Sequence, residues 1–254
     1  MNADAKETLS RFLDLTADSL RDGYRRIRFP YDFTGGGEAP APEEDGPSPF
    51  LAGFPAEADT LETVAAEIRR CAACPLCGGR KAAVPGEGVG RPLVLVVGEG
   101  PGADEDASGR PFVGKAGQLL DRMLAAIALS RSDNCFIANM VKCRPPGNRE
   151  PLPEEGAACA PFLTRQISLL RPRAILTVGR VAAQALLDTE APLGSLRGRF
   201  AEYRGIPLLP TYHPSALLRD ESKKRPAWED LKLLRVKLSE LDEAYAREAS
   251  RGTS

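Results

Sequence analysis

Short apolar segments alternate with amphipathic ones over most of the chain. Four runs are apolar at nearly every position, which is typical of strands buried on both faces: 93–97, 135–138, 174–178 and 206–210. Between and around them apolar residues recur at helical spacing, which predicts helices over 59–70, 117–129, 154–170, 181–187 and 226–246. Strands joined through helices form right-handed crossovers. The sequence therefore predicts an α/β fold, with four mainly parallel strands and helices on both faces of the sheet.

The first 58 residues follow a different pattern. Apolar residues at helical spacing predict an amphipathic helix over 5–28, and a stretch rich in Gly, Pro, Ala and acidic residues follows to about residue 55. This composition favours a linker. We therefore expect an N-terminal part over 1–58 and a globular domain over 59–254, and we expect the N-terminal part to be dispensable for chemistry.

Composition and charge limit the classes of protein. The chain has 254 residues, of which 43% are hydrophobic, and its longest strongly apolar run is the five residues 93–97. A membrane-spanning helix needs about 20 apolar residues, and the N-terminus lacks a signal-peptide pattern, so we expect a cytoplasmic protein without a membrane partner. Residues 1–70 contain 8 basic and 14 acidic side chains, against 26 and 21 in the remainder. A mildly basic body permits a polyanionic partner such as nucleic acid.

Polar side chains follow three of the four predicted strands. Glu99 comes after the first strand, Asn139 after the second and His213 after the fourth. Ligands of open parallel sheets bind beyond the carboxyl ends of the strands. We therefore expect these three residues to meet at one binding site, although a lone histidine is more often a structural residue.

Two loops near these strand ends carry further candidates. Residues 98–102, Gly-Glu-Gly-Pro-Gly, resemble a dinucleotide loop, but Pro101 and the acidic residues 104–106 stand where a helix should open onto phosphate. A turn that grips a small polar ring beside a carboxylate fits these residues better. Phe112 lies between turn residues, where it can stack on a flat ligand or plug the core.

The cysteines indicate a metal site. In a reducing compartment clustered cysteines bind metals more often than they form disulfides. Cys71 and Cys74 form one pair, and Cys143 and Cys159, with 15 residues between them, form another. Four thiolates suit zinc or a [4Fe–4S] cluster, and spacing does not choose between them. Cys77 could replace a member of the first pair, and Cys135 lies within an apolar strand.

Four segments in order carry a resemblance to a known family. They begin at Gly98 (GEGPGADED), Gly109 (GRPFVGKAGQLL), Asn139 (NMVKCRPPGNR) and His213 (HPSALLR). Together they resemble the family 4 uracil-DNA glycosylases, the iron–sulfur members of their superfamily. The resemblance covers about residues 61–241. It implies a three-layer α/β/α sandwich and hydrolysis of the N-glycosidic bond of uracil in DNA, single- or double-stranded, which leaves an abasic site.

The resemblance also implies roles for single residues. It implies a [4Fe–4S] cluster held by Cys71, Cys74, Cys143 and Cys159. It implies a uracil pocket formed by Gly98, Gly100, Phe112, Asn139 and His213. His213 would stabilise the departing uracil anion, while Glu99, with Glu105 as second choice, would position water. Contacts to DNA would come from Asn148, Ser215, Leu217, Leu218 and Arg219. We expect a monomer.

The family 1 enzymes of the same superfamily carry an Asp at the position of Gly100 and a thymine-excluding Tyr at that of Gly102. Exclusion of thymine would here fall to another residue such as Glu105. Two other classes compete with a glycosylase. A zinc- or cluster-bearing module could bind nucleic acid without catalysis, and an α/β enzyme could bind a nucleotide.

Overall fold

The computed structural model describes residues 59–251, so the predicted helix over 5–28 and the linker lie outside the described residues. A six-stranded sheet runs through the domain in the order β1-β3-β2-β4-β6-β5. Its strands are β1 (Glu87–Gly88), β2 (Val94–Gly98), β3 (Cys135–Asn139), β4 (Ala174–Val178), β5 (Ala201–Tyr203) and β6 (Ile206–Thr211). All four predicted strands are confirmed, and they form the parallel centre of the sheet.

The expected number of strands was too low by two. β1 and β5 pair antiparallel with β3 and β6 and close the two edges of the sheet. They span only two and three residues and none of those residues is fully buried. Strands this short leave no buried apolar run in the sequence, so the pattern of hydrophobic residues could not reveal them.

Helices cover both faces of the sheet. They are α1 (Leu61–Arg70), α2 (Ala103–Ser108), α3 (Lys115–Ala125), α4 (Pro153–Leu170), α5 (Arg180–Leu187), α6 (Leu193–Leu196), α7 (Pro214–Arg219), α8 (Lys224–Leu241) and α9 (Glu243–Arg251). The single helix predicted over 226–246 is wrong in one respect. It breaks at Asp242, whose backbone is extended (φ −148°, ψ 110°) and whose carboxylate accepts the N–H of Tyr245 at 2.9 Å as an N-cap.

Two hydrophobic cores lie on opposite faces of the sheet. Val94 and Val96 of β2 face the side of α3 and α8, whereas Leu95 and Val97 face the side of α4 and α5. Because side chains alternate along a strand, one buried strand supplies both cores. The predicted α/β/α sandwich is confirmed. Among residues 59–251 no helix has the length and apolar character needed to cross a membrane.

Candidate active site at the carboxyl edge of the sheet

Three candidate residues lie at or just after the carboxyl ends of parallel strands of the sheet. Gly98 at the end of β2 lies opposite Asn139 at the end of β3. Gly179, just after β4, donates its N–H to the carbonyl of Thr211 at 2.9 Å, two residues before His213. Glu99, Asn139 and His213 therefore leave the sheet at the same edge.

Gly98 lets two of the candidate side chains approach each other. A Cβ atom at this position would lie 2.5 Å from Asn139 Oδ1 and 2.6 Å from Phe112 Cζ. No side chain fits at such distances, so Gly98 is required where the amide and the aromatic ring pass over the end of β2. The ring of Phe112 in turn lies 5.7 Å, centroid to centroid, from that of His213 at an interplanar angle of 34°. The structure thus brings Phe112, Asn139 and His213 around one place.

The side-chain amide of Asn139 is held without a partner for its oxygen. Asn139 is only 1% exposed, and Oδ1 has no hydrogen bond in the part of the chain that the structure describes. A buried acceptor without a donor costs about 1–3 kcal/mol, so such atoms are rare. An oxygen kept in this state is available to a donor on a ligand.

His213 is the N-cap of α7 and has a defined tautomer. Its Nδ1 accepts the N–H of Ser215 at 3.1 Å and lies 2.8 Å from the Ser215 hydroxyl. The proton of a neutral ring is therefore on Nε2. Burial, and secondarily the charge of Arg219, lowers the pKa of His213 to about 4, although Glu105 opposes this shift. At neutral pH His213 offers an uncharged Nε2–H donor.

The loop that carries Phe112 is clamped on both sides. Phe112 has a positive φ of 52°, which is unfavourable for an aromatic residue. Arg131 donates to the carbonyls of Pro111 and Phe112 at 2.8 and 2.9 Å, and it also binds Asp121. These bonds hold the strained loop in place.

Glu105 holds the same loop from its other side. Its Oε1 accepts the N–H groups of Val113 and Gly114 at 2.9 and 3.0 Å, and its Oε2 accepts that of Gly102 at 3.0 Å. Both oxygens therefore bind backbone. These contacts make Glu105 a support for the Phe112 loop, whereas the Glu99 carboxylate accepts no backbone N–H within residues 59–251.

Glu99 lies half-buried after β2. Its carbonyl accepts the N–H of Val141 at 3.1 Å, which fixes its backbone to the segment after Asn139. Burial raises the pKa of Glu99; the charge of Glu150 adds to the shift and Arg180 opposes it. Arg180 and Glu150 form an ion pair with each other. Gly100, one residue on, packs against Val141, which a Cβ would approach to 2.9 Å.

The residues expected to touch DNA differ in exposure. Leu217 is 3% exposed and belongs to the core, whereas Leu218 is 48% exposed and Arg219 is also exposed. Of the two leucines, only Leu218 is on the surface. Ser215 supports His213, and Asn148 accepts a bond from Arg144 Nε at 2.7 Å.

Five cysteines line a single pocket, which we call the thiol pocket: Cys71, Cys74, Cys77, Cys143 and Cys159. Burial raises the pKa of Cys143, and raises that of Cys159 to about 11. Three of the sulfurs nevertheless accept hydrogen bonds: Arg80 donates to Cys143 at 3.1 Å, and the N–H groups of Lys142 and Ala73 donate to Cys159 and Cys71 at 3.3 and 3.5 Å.

Such donors suit thiolates, and metal binding deprotonates a coordinating thiol. The residues present thus fit a thiolate-bound cofactor. No three His, Cys, Asp or Glu side chains within 59–251 are grouped so as to chelate a single metal ion. Cys135 is a separate buried thiol in β3.

Sequence reasoning missed the charged residues that hold these groups. Arg80 binds Cys143 of the thiol pocket, and Arg131 binds the Phe112 loop. Lys142 binds the carbonyl of Asn139. Arg80 and Arg131 lie outside the strand ends, and no spacing rule links them to their partners. Lys142 stands inside a motif, but only its burial shows that it is not a surface lysine.

Comparison with known proteins matches the part of the chain that contains these site residues. Residues 85–232 match the model of the Uracil DNA glycosylase superfamily. A type-4 uracil-DNA glycosylase of Saccharolobus solfataricus is 43% identical over 71% of this chain and 88% of its own length. Relatives of the same name are 45% identical in Pyrobaculum aerophilum, over 65% of this chain and 87% of the relative, and 40% identical in Thermotoga maritima, over 73% and 93%.

Proposed function

The chain belongs to the type-4 uracil-DNA glycosylases of the uracil DNA glycosylase superfamily, and we propose that Phe112, Asn139, His213 and Glu99 form the pocket in which it excises uracil from DNA. A base within a duplex is out of reach of an enzyme, so uracil must flip out of the stack first. The observation that carries the assignment is the unpartnered oxygen of Asn139, between Phe112 and the end of β2.

Asn139 reads the base. Its Oδ1 accepts N3–H of uracil and its Nδ2 donates to O4, because an amide offers one acceptor and two donors. Cytosine has no proton on N3 and carries an amino group at position 4, so it presents the opposite polarity. A mismatch of this kind leaves buried groups unpaired, which costs about 1–3 kcal/mol each. Phe112 stacks on the ring of the base.

His213 stabilises the leaving group. Negative charge accumulates on uracil as the glycosidic bond breaks, and Nε2–H of His213 donates to O2. A donor fixed at developing charge is worth about 3–4 kcal/mol. The neutral ring, set by Ser215 and by burial, needs no reorganisation during the step.

Glu99 acts on the sugar side. The deoxyribose gains positive charge as uracil departs, which a carboxylate stabilises, and the carboxylate also orients the attacking water. The bond between C1′ and N1 breaks and uracil leaves as the anion, water adds to C1′ and gives a proton to the Glu99 carboxylate, and an abasic site remains. Burial raises the pKa of Glu99 towards neutral pH. A general base is most effective when its pKa lies near the pH at which the enzyme works.

The thiol pocket is proposed to hold a [4Fe–4S] cluster on Cys71, Cys74, Cys143 and Cys159. Hydrogen bonds donated to the cysteine sulfur atoms by Arg80 and by a backbone N–H group support this assignment, since such donors also suit the thiolates through which iron–sulfur clusters bind. Cys71 and Cys74 after α1, Cys143 after β3 and Cys159 of α4 would hold the cluster, which would supply a structural link between these segments. Measured iron and sulfide, together with visible absorption, separate it from zinc.

The substrate is proposed to be uracil in single- or double-stranded DNA, approached from the face that carries Leu218 and Arg219. Their exposure supports a wedge that fills the gap left by the flipped base. We propose a monomer in the cytoplasm, where reducing conditions keep the thiol pocket free of disulfides.

An excision assay tests the function. Iron-loaded full-length protein is incubated with single strands and duplexes that contain U, T, hypoxanthine or xanthine at one position. We expect release of uracil and none of thymine, with large losses in Asn139→Ala and His213→Ala. A non-catalytic DNA-binding module would release no uracil, and both variants would bind DNA as the wild type does.

A further inference from the structure

Lys142 is a buried cation that the reaction described above does not use. It is 1% exposed, and within 59–251 it forms no ion pair with a carboxylate. A buried charge is costly unless hydrogen bonds satisfy it. Its Nζ donates to the main-chain carbonyl of Asn139 at 2.9 Å and to Gln166 Oε1 at 2.7 Å.

The backbone of the same residue is tied to the thiol pocket. Its N–H donates to Cys159 Sγ at 3.3 Å, and its carbonyl accepts the N–H of Val84 at 2.7 Å. Cys143, a second thiol of the pocket, is the next residue along the chain. Lys142 therefore touches the cofactor site with its main chain and the base-reading residue with its side chain.

We propose that Lys142 is a positioning residue that couples the thiol pocket to uracil recognition through Asn139. The inference rests on the proposed role of Asn139. Asn139 is the last residue of β3, so the sheet holds one side of it and the chain turns away on the other. The bond from Lys142 Nζ to the Asn139 carbonyl is charge-assisted and therefore stronger than a neutral hydrogen bond. It fixes the peptide group after Asn139 and thereby the direction in which the Asn139 side chain leaves the backbone.

Gln166 completes the arrangement from α4. Its oxygen accepts Lys142 Nζ, while its Nε2 donates to the carbonyl of Pro85 at 2.7 Å. The ammonium group is thus held between two acceptors, the Asn139 carbonyl and Gln166 Oε1. Lys142 therefore acts on the reaction only through Asn139. This indirect action distinguishes it from a residue that binds substrate.

A double-mutant cycle tests this coupling, because it detects interaction between two residues apart from their individual effects. Lys142→Met keeps the length of the side chain and removes both bonds. We expect roughly a 10-fold loss in affinity for free uracil and in the single-turnover rate on uracil-containing DNA. In the Asn139→Ala background the same substitution should change both by less than about twofold. Iron per chain and the unfolding temperature are measured for every variant.

Leu163→Ala is the matched control, because Leu163 is buried in α4 one turn before Gln166 and belongs to the core. Its effect should be the same with and without Asn139. If Lys142→Met does not fold or loses iron, Gln166→Met, which removes one of the two acceptors, replaces it in the same cycle. An effect of Lys142→Met that is equal in both backgrounds, or no effect at all, would overturn the proposal while uracil release by the wild type continued. Failure of the wild type to release uracil would instead refute the proposed function.

Discussion

Three of the four pocket residues, His213, Phe112 and Asn139, are held in place by residues that do not touch the base. Ser215 sets the tautomer of His213, Arg131 and Glu105 hold the Phe112 loop, and Lys142 binds the carbonyl of Asn139. Preorganised groups lower a barrier because they need not reorient as charge develops. The rate of the reaction should therefore depend on supports as well as on groups that touch the base.

His213 should make stability depend on pH in a defined window. Its folded pKa of about 4 lies below its usual value of 6.5. Between these values the unfolded chain binds the additional proton, so the free energy of unfolding falls as the pH is lowered from about 6.5 towards 4. Urea unfolding at several pH values should show a shallower fall in His213→Gln. Parallel curves for variant and wild type would show that the ring is not held neutral.

The two adjacent leucines of α7 should behave in opposite ways. Leu217→Ala leaves a cavity in the core and should lower the free energy of unfolding by about 2–5 kcal/mol. Leu218→Ala removes a surface side chain and should leave stability within about 0.5 kcal/mol. It should, however, slow excision from duplex more than from single strands, because only the duplex has a stack to be wedged open. Equal slowing on both substrates would remove Leu218 from this role.

At this scale the sequence revealed the polar residues but not their supports. Glu99, Asn139 and His213 were evident because each follows a strand end, which is a local signal. The bonds from Arg131 to the Phe112 loop and from Arg80 to Cys143 span 19 and 63 positions. Such contacts depend on how elements pack, which no short spacing encodes.

At the scale of elements, the segment from β2 to α3 is organised by the backbone bonds of Glu105. These join the start of α2 at Gly102 to the loop at Val113 and Gly114. A cap of α2 and the placement of Phe112 thus depend on one carboxylate.

Glu105→Gln and Glu99→Gln should separate support from catalysis. An amide at Glu105 points a donor at a backbone donor, so stability should fall by about 1–3 kcal/mol and the affinity for free uracil should weaken. At Glu99, which burial already biases towards the neutral form, stability should stay the same or rise, while kcat falls on the order of 10²-fold or more. Thermal melts measure the change in stability of each variant, and single-turnover rates measure the change in catalysis. A stable Glu105→Gln with normal uracil affinity but no turnover would make Glu105 the catalytic carboxylate.

Elements were predictable in proportion to their burial. The parallel strands were evident because both of their faces lie in a core. The edge strands β1 and β5 were missed, since their pairing comes from neighbours rather than from their own residues. The break at Asp242 was missed because apolar residues continue at helical spacing from α8 into α9 and only the cap marks it.

At the scale of the molecule, the carboxyl edge of the sheet and the thiol pocket are parts of one domain. Cys143 and Cys159 pack with α1 in a third core that contains Val64 and Ile68. The chain after β3 runs from Asn139 to Cys143 within four residues, so the proposed uracil pocket and the thiol pocket share a segment. The resemblance of the four motifs to the family predicted both sites from the sequence. Only the structure shows that Lys142 contacts both Cys159 of the thiol pocket and the carbonyl of Asn139.

Removal of residues 1–58 tests the expected division of the chain. The supports described for the pocket, from Glu105, Arg131, Lys142 and Ser215, are themselves residues of 59–251, so we expect the truncated protein to keep the iron content and the single-turnover rate of the full chain. Iron analysis and the excision assay check this. Lost turnover in a truncated protein with unchanged iron and melting temperature would assign the N-terminal part a role in the reaction.

The most direct test of the pocket is a crystal structure of the iron-loaded protein with uracil bound. The geometry described here predicts the base stacked on Phe112, with Asn139 Oδ1 at N3–H, Nδ2 at O4 and His213 Nε2 at O2, and with Glu99 on the side where the sugar would lie. Uracil bound away from Asn139, or bound there with His213 turned from O2, would contradict it.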